Sequence, residues 1–150
     1  MGDTDMAGSS STVDLEWKGG LKFISTDAYG HTLTVNAPEE NGDEYEGSKP
    51  GEMMLTSLAG CSGIDVVGIL RKQRQDVSAI DIKVTGTQEP NPPWTWIKVH
   101  LQYVLRGRGL DRKRVEHAID LSENSYCSVG ATLGGRCVVT SEFRIVEDAD

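Results

Sequence analysis

The chain has 150 residues, the size of one domain, with 37% hydrophobic and 25% charged residues, a balance that supports a packed core and argues against a membrane protein. The formal net charge is −8, all of it carried by residues 1–60, which hold eleven acids and three bases, while the remainder holds twelve of each. Such a chain is repelled by phosphate backbones and anionic lipid, so neither nucleic acid nor a membrane is expected as a partner.

No run reaches the ~20 apolar residues of a membrane span. The start, Met1-Gly2-Asp3-Thr4-Asp5-Met6, shows no basic-then-apolar signal, so the expected location is cytoplasmic. Residues 1–12 are small, polar and acidic and read as a disordered tail before a single domain over 13–150. Val13, Leu15 and Trp17 alternate with Asp14, Glu16 and Lys18, which predicts a half-buried strand. Gly19-Gly20 signals a hairpin and Leu21–Thr26 the return strand. Asp27-Ala28-Tyr29-Gly30 is a second turn before a third short strand, Thr32–Val35, giving a three-stranded antiparallel meander. Residues 37–49 form a polar loop.

Pro50 suits the first turn of a helix, and Glu52–Gln73 reads as one long helix with apolar residues on most sides, hence a buried central helix. Arg71, Lys72 and Arg74 wait at its end, where cations favour the helix dipole. Ile80, Ile82 and Val84 mark a strand, and Ile97–Arg106 a longer one with one wet face. Trp94 and Trp96 follow two prolines and suit a core or dimer contact. Asp111 is a good N-cap for a helix through Leu121; a short helix over Ser128–Leu133 is stopped by Gly134-Gly135, and a last strand runs from Cys137 to Val146. This order is that of an α+β domain.

The three cysteines, Cys61, Cys127 and Cys137, contain no CxxC, and the histidines are scattered, so neither a disulfide scaffold nor a metal site is expected. Cys61 lies mid-way along the long helix among small residues and reads either as a small core residue or as a thiol with a role; an ionised Asp65 one turn on would raise its pKa. Cys127 lies at the start of the short helix, where helix amides lower a thiol pKa, or packs as a boundary residue under Tyr126. Cys137 shares strand parity with Val139, Phe143 and Ile145 and reads as core. Two thiols on separate helices are the physical minimum for a recyclable thiol peroxidase, in which a thiolate attacks an O–O bond and a second thiol condenses with the sulfenic acid. Spacing alone does not establish that they meet.

The segment Pro50-Gly51-Glu52-Met53-Met54-Leu55-Thr56-Ser57-Leu58-Ala59-Gly60-Cys61, with Asp65–Lys72 behind it and Ala118–Val129 later, resembles the OsmC/Ohr family, in the OsmC-like branch. The similarity covers roughly residues 13–146 in the right order. The resemblance implies an OsmC-like fold, antiparallel sheets wrapped around long central helices in an intertwined homodimer. It implies a peroxidatic Cys61 and a resolving Cys127, organic hydroperoxides as substrates, a dithiol reductant and no cofactor. Met53, Met54 and Leu58 would suit an apolar substrate tail. An OsmC-like stress or small-molecule-binding protein with little turnover is the alternative. Two departures bear on this. Family members activate the first thiolate with an arginine from the N-terminal strands; here no arginine precedes Arg71, and Lys22 is at best a weak substitute. Gly51 stands where the family has the glutamate that pairs with it, and Glu52, one residue later, lies roughly 180° round the helix from Cys61.

Overall fold

The computed structural model describes residues 8–40 and 44–150. The first seven residues of the expected tail, and 41–43 of the polar loop, lie outside the described residues. Residues 8–12 are exposed and carry no regular structure. The chain falls into two compact units, one through Met53 and one from Met54 to Asp150.

In the first unit, β1 (Val13–Trp17), β2 (Phe23–Asp27) and β3 (Thr32–Val35) form the antiparallel meander in the order β1-β2-β3. Gly19 (φ 96°) and Gly20 (φ 53°) turn the first hairpin through left-handed backbone that a side chain would strain. The Trp17 indole N–H donates to the Gly20 carbonyl at 3.0 Å. Asp27 Oδ1 accepts from the N–H groups of Tyr29 and His31 and closes the second turn. One expectation fails here: β1 is exposed along its whole length, Trp17 at 63%, because this small sheet has no second layer within its own unit.

The unit boundary falls inside α1 (Pro50–Lys72). The helix ends in a Schellman motif: Gln75 N–H donates to Leu70 O and Arg74 N–H to Arg71 O, with Arg74 itself at φ 56°. Arg74 is therefore past the helix rather than in its last turn. By length and composition α1 is long and apolar enough to cross a membrane, contrary to the sequence expectation. Its Leu58, Val66 and Leu70 instead enter the core of the second unit. Nor is the helix buried all round. Within one chain only the stripe Leu58, Ser62, Val66 and Leu70, spaced by one turn, is buried, and Ile64 is 75% exposed.

The second sheet has the order β4-β5-β6, with β4 (Asp76–Gln88), β5 (Trp96–Arg108) and β6 (Val138–Glu147). β5 alternates as expected: Val99, Leu101, Tyr103 and Leu105 are buried, while His100, Gln102 and Arg106 face outward. β4 pairs antiparallel to β5, but β6 runs parallel to it, so this sheet is mixed rather than antiparallel. A parallel neighbour needs a crossover connection. That crossover carries α2 (Arg112–Leu121), a π-helical turn (Ser122–Tyr126) and α3 (Ser128–Leu133). Asp111 caps α2 as predicted, its side chain accepting from Lys113 and Arg114 N–H. Val115, Ala118 and Ile119 of α2 join the α1 stripe and the β5 face in one core. Each fully buried Leu or Val there is worth about 1.5–3 kcal/mol. Trp96 packs at the edge of this core against Gly86, where any Cβ would collide with its ring, and Trp94 is exposed.

Candidate active site

Cys61 is half-buried in the middle of α1 and faces the start of α3. Its Sγ lies 4.0 Å from Ser128 Oγ. The backbone N–H groups of Val129 and Ser128 and the Cys127 thiol are close enough to favour its thiolate. Burial alone pushes the Cys61 thiol up, but these donors together outweigh it and hold its pKa below the ordinary thiol value. Donors that stabilise the thiolate are what a nucleophilic cysteine needs.

Cys127 is buried and caps α3, its Sγ accepting from Gly130 N–H at 3.3 Å. Burial pushes its pKa up to about 11; the Gly130 N–H opposes this, and donation to Cys61 and the charge of Asp65 add to it. The sequence reading assigned the amides at the start of α3 to Cys127. The structure gives those of Ser128 and Val129 to Cys61, and burial decides the acidity of Cys127 in the opposite direction. Tyr126 does not cover Cys127; it is 62% exposed. Glycine at 130 lets the helix approach the sulfur, since a Cβ there would lie 3.3 Å from Cys127 Sγ.

Asp65 is engaged by a hydroxyl on the π-helical turn. Its Oδ2 accepts from Ser122 Oγ at 2.9 Å. Ser122 Oγ is 3.1 Å from Ser62 Oγ, which is hydrogen-bonded to the Tyr103 hydroxyl. Burial pushes Tyr103 up to about 12, the Ser62 contact opposing and the charges of Glu123, Cys127 and Asp65 reinforcing it. This chain of polar side chains joins α1, β5 and the π-helical turn beside the thiols. Ser62 was legible in principle: a lone serine in the stripe Leu58-Ser62-Val66-Leu70 is a buried polar group that requires a partner.

Behind Cys127 lies a cavity of about 280 Å³, lined by Leu58, Ser62, Leu101, Glu123, Asn124, Cys127, Gly130, Ala131, Gly134, Cys137 and Val139. Cys137 is buried, and burial raises its pKa. All three thiols are free. Among the described residues no group of three His, Cys, Asp or Glu side chains is placed to hold a metal.

The other sequence candidates sit as follows. Leu58 is buried on the cavity wall, and Met53 and Met54 are half-buried at the start of α1. Lys22 is ion-paired with Glu46 at 2.6 Å. Glu52, in the first turn of α1, is ion-paired at 3.3 Å with Lys49, which precedes the helix.

Residues 41–142, which include both thiols of the pair, match the family described as OsmC-like protein. The chain belongs to the OsmC-like family. This OsmC-like chain is 35% identical over 132 residues to protein YhfA of Escherichia coli (strain K12), covering 88% of itself and 96% of that relative. A hypothetical protein from Aquifex aeolicus VF5, known from its crystal structure, is 29% identical with a TM-score of 0.77, over 93% of this chain and 100% of the other. The organic hydroperoxide resistance protein OhrB of Bacillus subtilis shares the fold, with a TM-score of 0.62 at 17% identity over 91% of this chain and 98% of its own.

Proposed function

We propose that the protein is a thiol-dependent peroxidase that reduces organic hydroperoxides. The Cys61 thiolate attacks the terminal peroxide oxygen, the O–O bond breaks, and the alcohol leaves with a proton, giving a Cys61 sulfenic acid. The Cys127 thiol then attacks the sulfenic sulfur, forming a Cys61–Cys127 disulfide and releasing water. One observation carries this reading: two neighbouring free thiols at the junction of α1 and α3, Cys61 shifted toward the thiolate by the groups at the start of α3 and Cys127 held neutral by burial. Activation in this reading comes from the Ser128 and Val129 amides and from Cys127, so it needs neither Lys22 nor Glu52, whose side chains pair with Glu46 and Lys49. Met54 and Leu58 are the apolar contacts we assign to the substrate tail. We place the enzyme in the cytoplasm as a homodimer, the exposed side of α1 around Ile64 meeting a second copy.

The test is a thiol count and intact mass of the reduced protein after one equivalent of cumene hydroperoxide, beside Cys61→Ser and Cys127→Ser. Rapid loss of two thiols in the wild type, absent in both variants, supports the peroxidase. Survival of all three thiols for minutes overturns it. That outcome favours the second reading, a small-molecule-binding OsmC-like protein. The Lys22–Glu46 pair is the observation on its side, since it occupies the cation of the N-terminal strands.

A further inference from the structure

Ser122 is fully buried at the start of the π-helical turn and is held in two directions. Its carbonyl accepts the Cys127 N–H, five residues on, at 2.8 Å, the bond that closes the π-helical turn. Its side chain reaches α1: Ser122 Oγ donates to Asp65 Oδ2 at 2.9 Å and lies 3.1 Å from Ser62 Oγ. Ser62 is the residue after Cys61, and Asp65 stands about one helical turn beyond that cysteine. One residue thus grips the backbone of Cys127 with its carbonyl and the stretch of α1 that carries Cys61 with its hydroxyl. The directions of these bonds are fixed from the carboxylate end. A carboxylate oxygen only accepts, so the single hydroxyl hydrogen of Ser122 goes to Asp65. Ser122 Oγ then accepts from Ser62, and Ser62 Oγ accepts from the Tyr103 hydroxyl. Asp65 therefore orients the buried hydroxyls of Ser122, Ser62 and Tyr103 in one sense, and none can turn away without leaving a polar atom unpaired.

We propose that Ser122 is a positioning residue for the thiol pair: tied to Asp65 and Ser62, it fixes the π-helical turn against α1 so that the Cys127 sulfur stands within reach of Cys61. This role rests on the peroxidase reading for its physiological oxidant only. π-helical turns are rare and recur at functional sites. Here the turn ends at Cys127, whose extended backbone (φ −73°, ψ 99°) begins α3. The step that depends on Ser122 is closure of the pair. The Cys127 sulfur attacks the Cys61 sulfenic sulfur, the S–S bond forms as the S–O bond breaks, and the hydroxyl leaves as water with the Cys127 proton. In thiol–disulfide exchange the same closure starts from a glutathione mixed disulfide on Cys61. Cys127 gives up its proton and attacks the Cys61 sulfur, and glutathione leaves as its thiolate. Both closures require one sulfur to be aimed at the other, and misplacing a reacting group by about 1 Å can cost about a hundredfold.

The experiment equilibrates the full chain with mixtures of reduced and oxidised glutathione and maps the Cys61–Cys127 disulfide by alkylation and peptide mass. The effective concentration of the pair is thereby read without any peroxide. Ser122→Ala and Asp65→Ala are expected to lower it about tenfold or more. Asp65→Asn keeps an acceptor for the Ser122 hydroxyl and should stay nearer the wild type than Asp65→Ala. Asp65 is half-buried, so its variants read the same chain of hydroxyls even where Ser122→Ala does not fold. Val115→Ala thins the core on α2 without touching these hydrogen bonds, and should lower the urea midpoint while the effective concentration holds. An effective concentration unchanged in Ser122→Ala and Asp65→Ala, or lowered as much by Val115→Ala, overturns the proposal. A second arm adds cumene hydroperoxide in the presence of dimedone. Ser122→Ala should raise the ratio of dimedone adduct on Cys61 to disulfide about tenfold or more, and an unchanged ratio overturns the proposal. If the hydroperoxide oxidises no thiol in any of these proteins, the peroxidase reading falls and the glutathione arm alone decides the role of Ser122. If oxidised glutathione never links Cys61 to Cys127 in the wild type, the positioning role falls.

Discussion

Cys61 and Cys127 are neighbouring thiols whose acidities diverge: burial lifts Cys127, while the groups at the start of α3 hold Cys61 down against its own burial. Cys61 falls below the ordinary thiol value and Cys127 rises to about 11, so at neutral pH the thiolate population belongs to Cys61. The sign fixes the pH dependence. Alkylation of Cys61 by iodoacetamide rises with pH and levels off below the range of an ordinary cysteine, whereas Cys127 gains reactivity only as the pH nears 11. Cys127→Ala removes a donor, so the Cys61 curve should move to higher pH and its rate at pH 7 should fall. An unchanged curve in that variant would remove the coupling.

The Ser62–Tyr103 hydrogen bond predicts an asymmetry between two deletions. Ser62→Ala leaves the buried Tyr103 hydroxyl without this partner, at a cost of about 1–3 kcal/mol. Tyr103→Phe removes the hydroxyl itself, and Ser62 keeps Ser122, so the loss should be smaller. Urea unfolding of both variants checks the order.

Gly86 is occupied on its missing side chain's side by Trp96. Gly86→Ala should therefore displace the indole and cost about 1–3 kcal/mol as overpacking. Thermal unfolding gives the cost, and adding Trp96→Leu should make the Gly86→Ala step less damaging than it is alone.

Arg74 holds left-handed backbone at φ 56° at the end of α1. Glycine takes that conformation without a Cβ clash, against a larger loss of unfolded-chain freedom, so Arg74→Gly should stabilise the protein by up to about 1 kcal/mol. A lower urea midpoint in the variant would contradict this reading of the helix end.

The exposed Ile64 makes the proposed homodimer testable. Ile64→Glu places a charge in the middle of the apolar side of α1 and should shift sedimentation from dimer toward monomer with little change in far-UV circular dichroism. A wild type that sediments as a monomer at micromolar concentration ends the dimer proposal.

Much of the architecture was legible because local signals agreed. The strand at Val13–Trp17, the Gly19-Gly20 turn and the Asp111 cap each have a short-range physical cause and stand where expected, although the half-burial expected of that strand does not. Strand direction has no such cause. The period-two pattern of Val139, Phe143 and Ile145 is the same for either direction, so the parallel pairing of β6 was invisible. The thiol pair came from motif resemblance, but its electrostatics did not. A helix N-terminus acts on whatever its amides face, and only the fold shows that those of Ser128 and Val129 face Cys61.

The crossover between β5 and β6 has a consequence for the order of events during synthesis. Cys61 leaves the ribosome on α1 well before the segment that supplies its Ser128, Val129 and Cys127 neighbours, because β4, β5 and α2 lie between them in the chain. Until then Cys61 is an ordinary thiol on an unfinished chain. Its reactivity is thereby withheld from the nascent polypeptide until α3 has been made, so a chain stalled before Ser128 carries the cysteine without the chemistry.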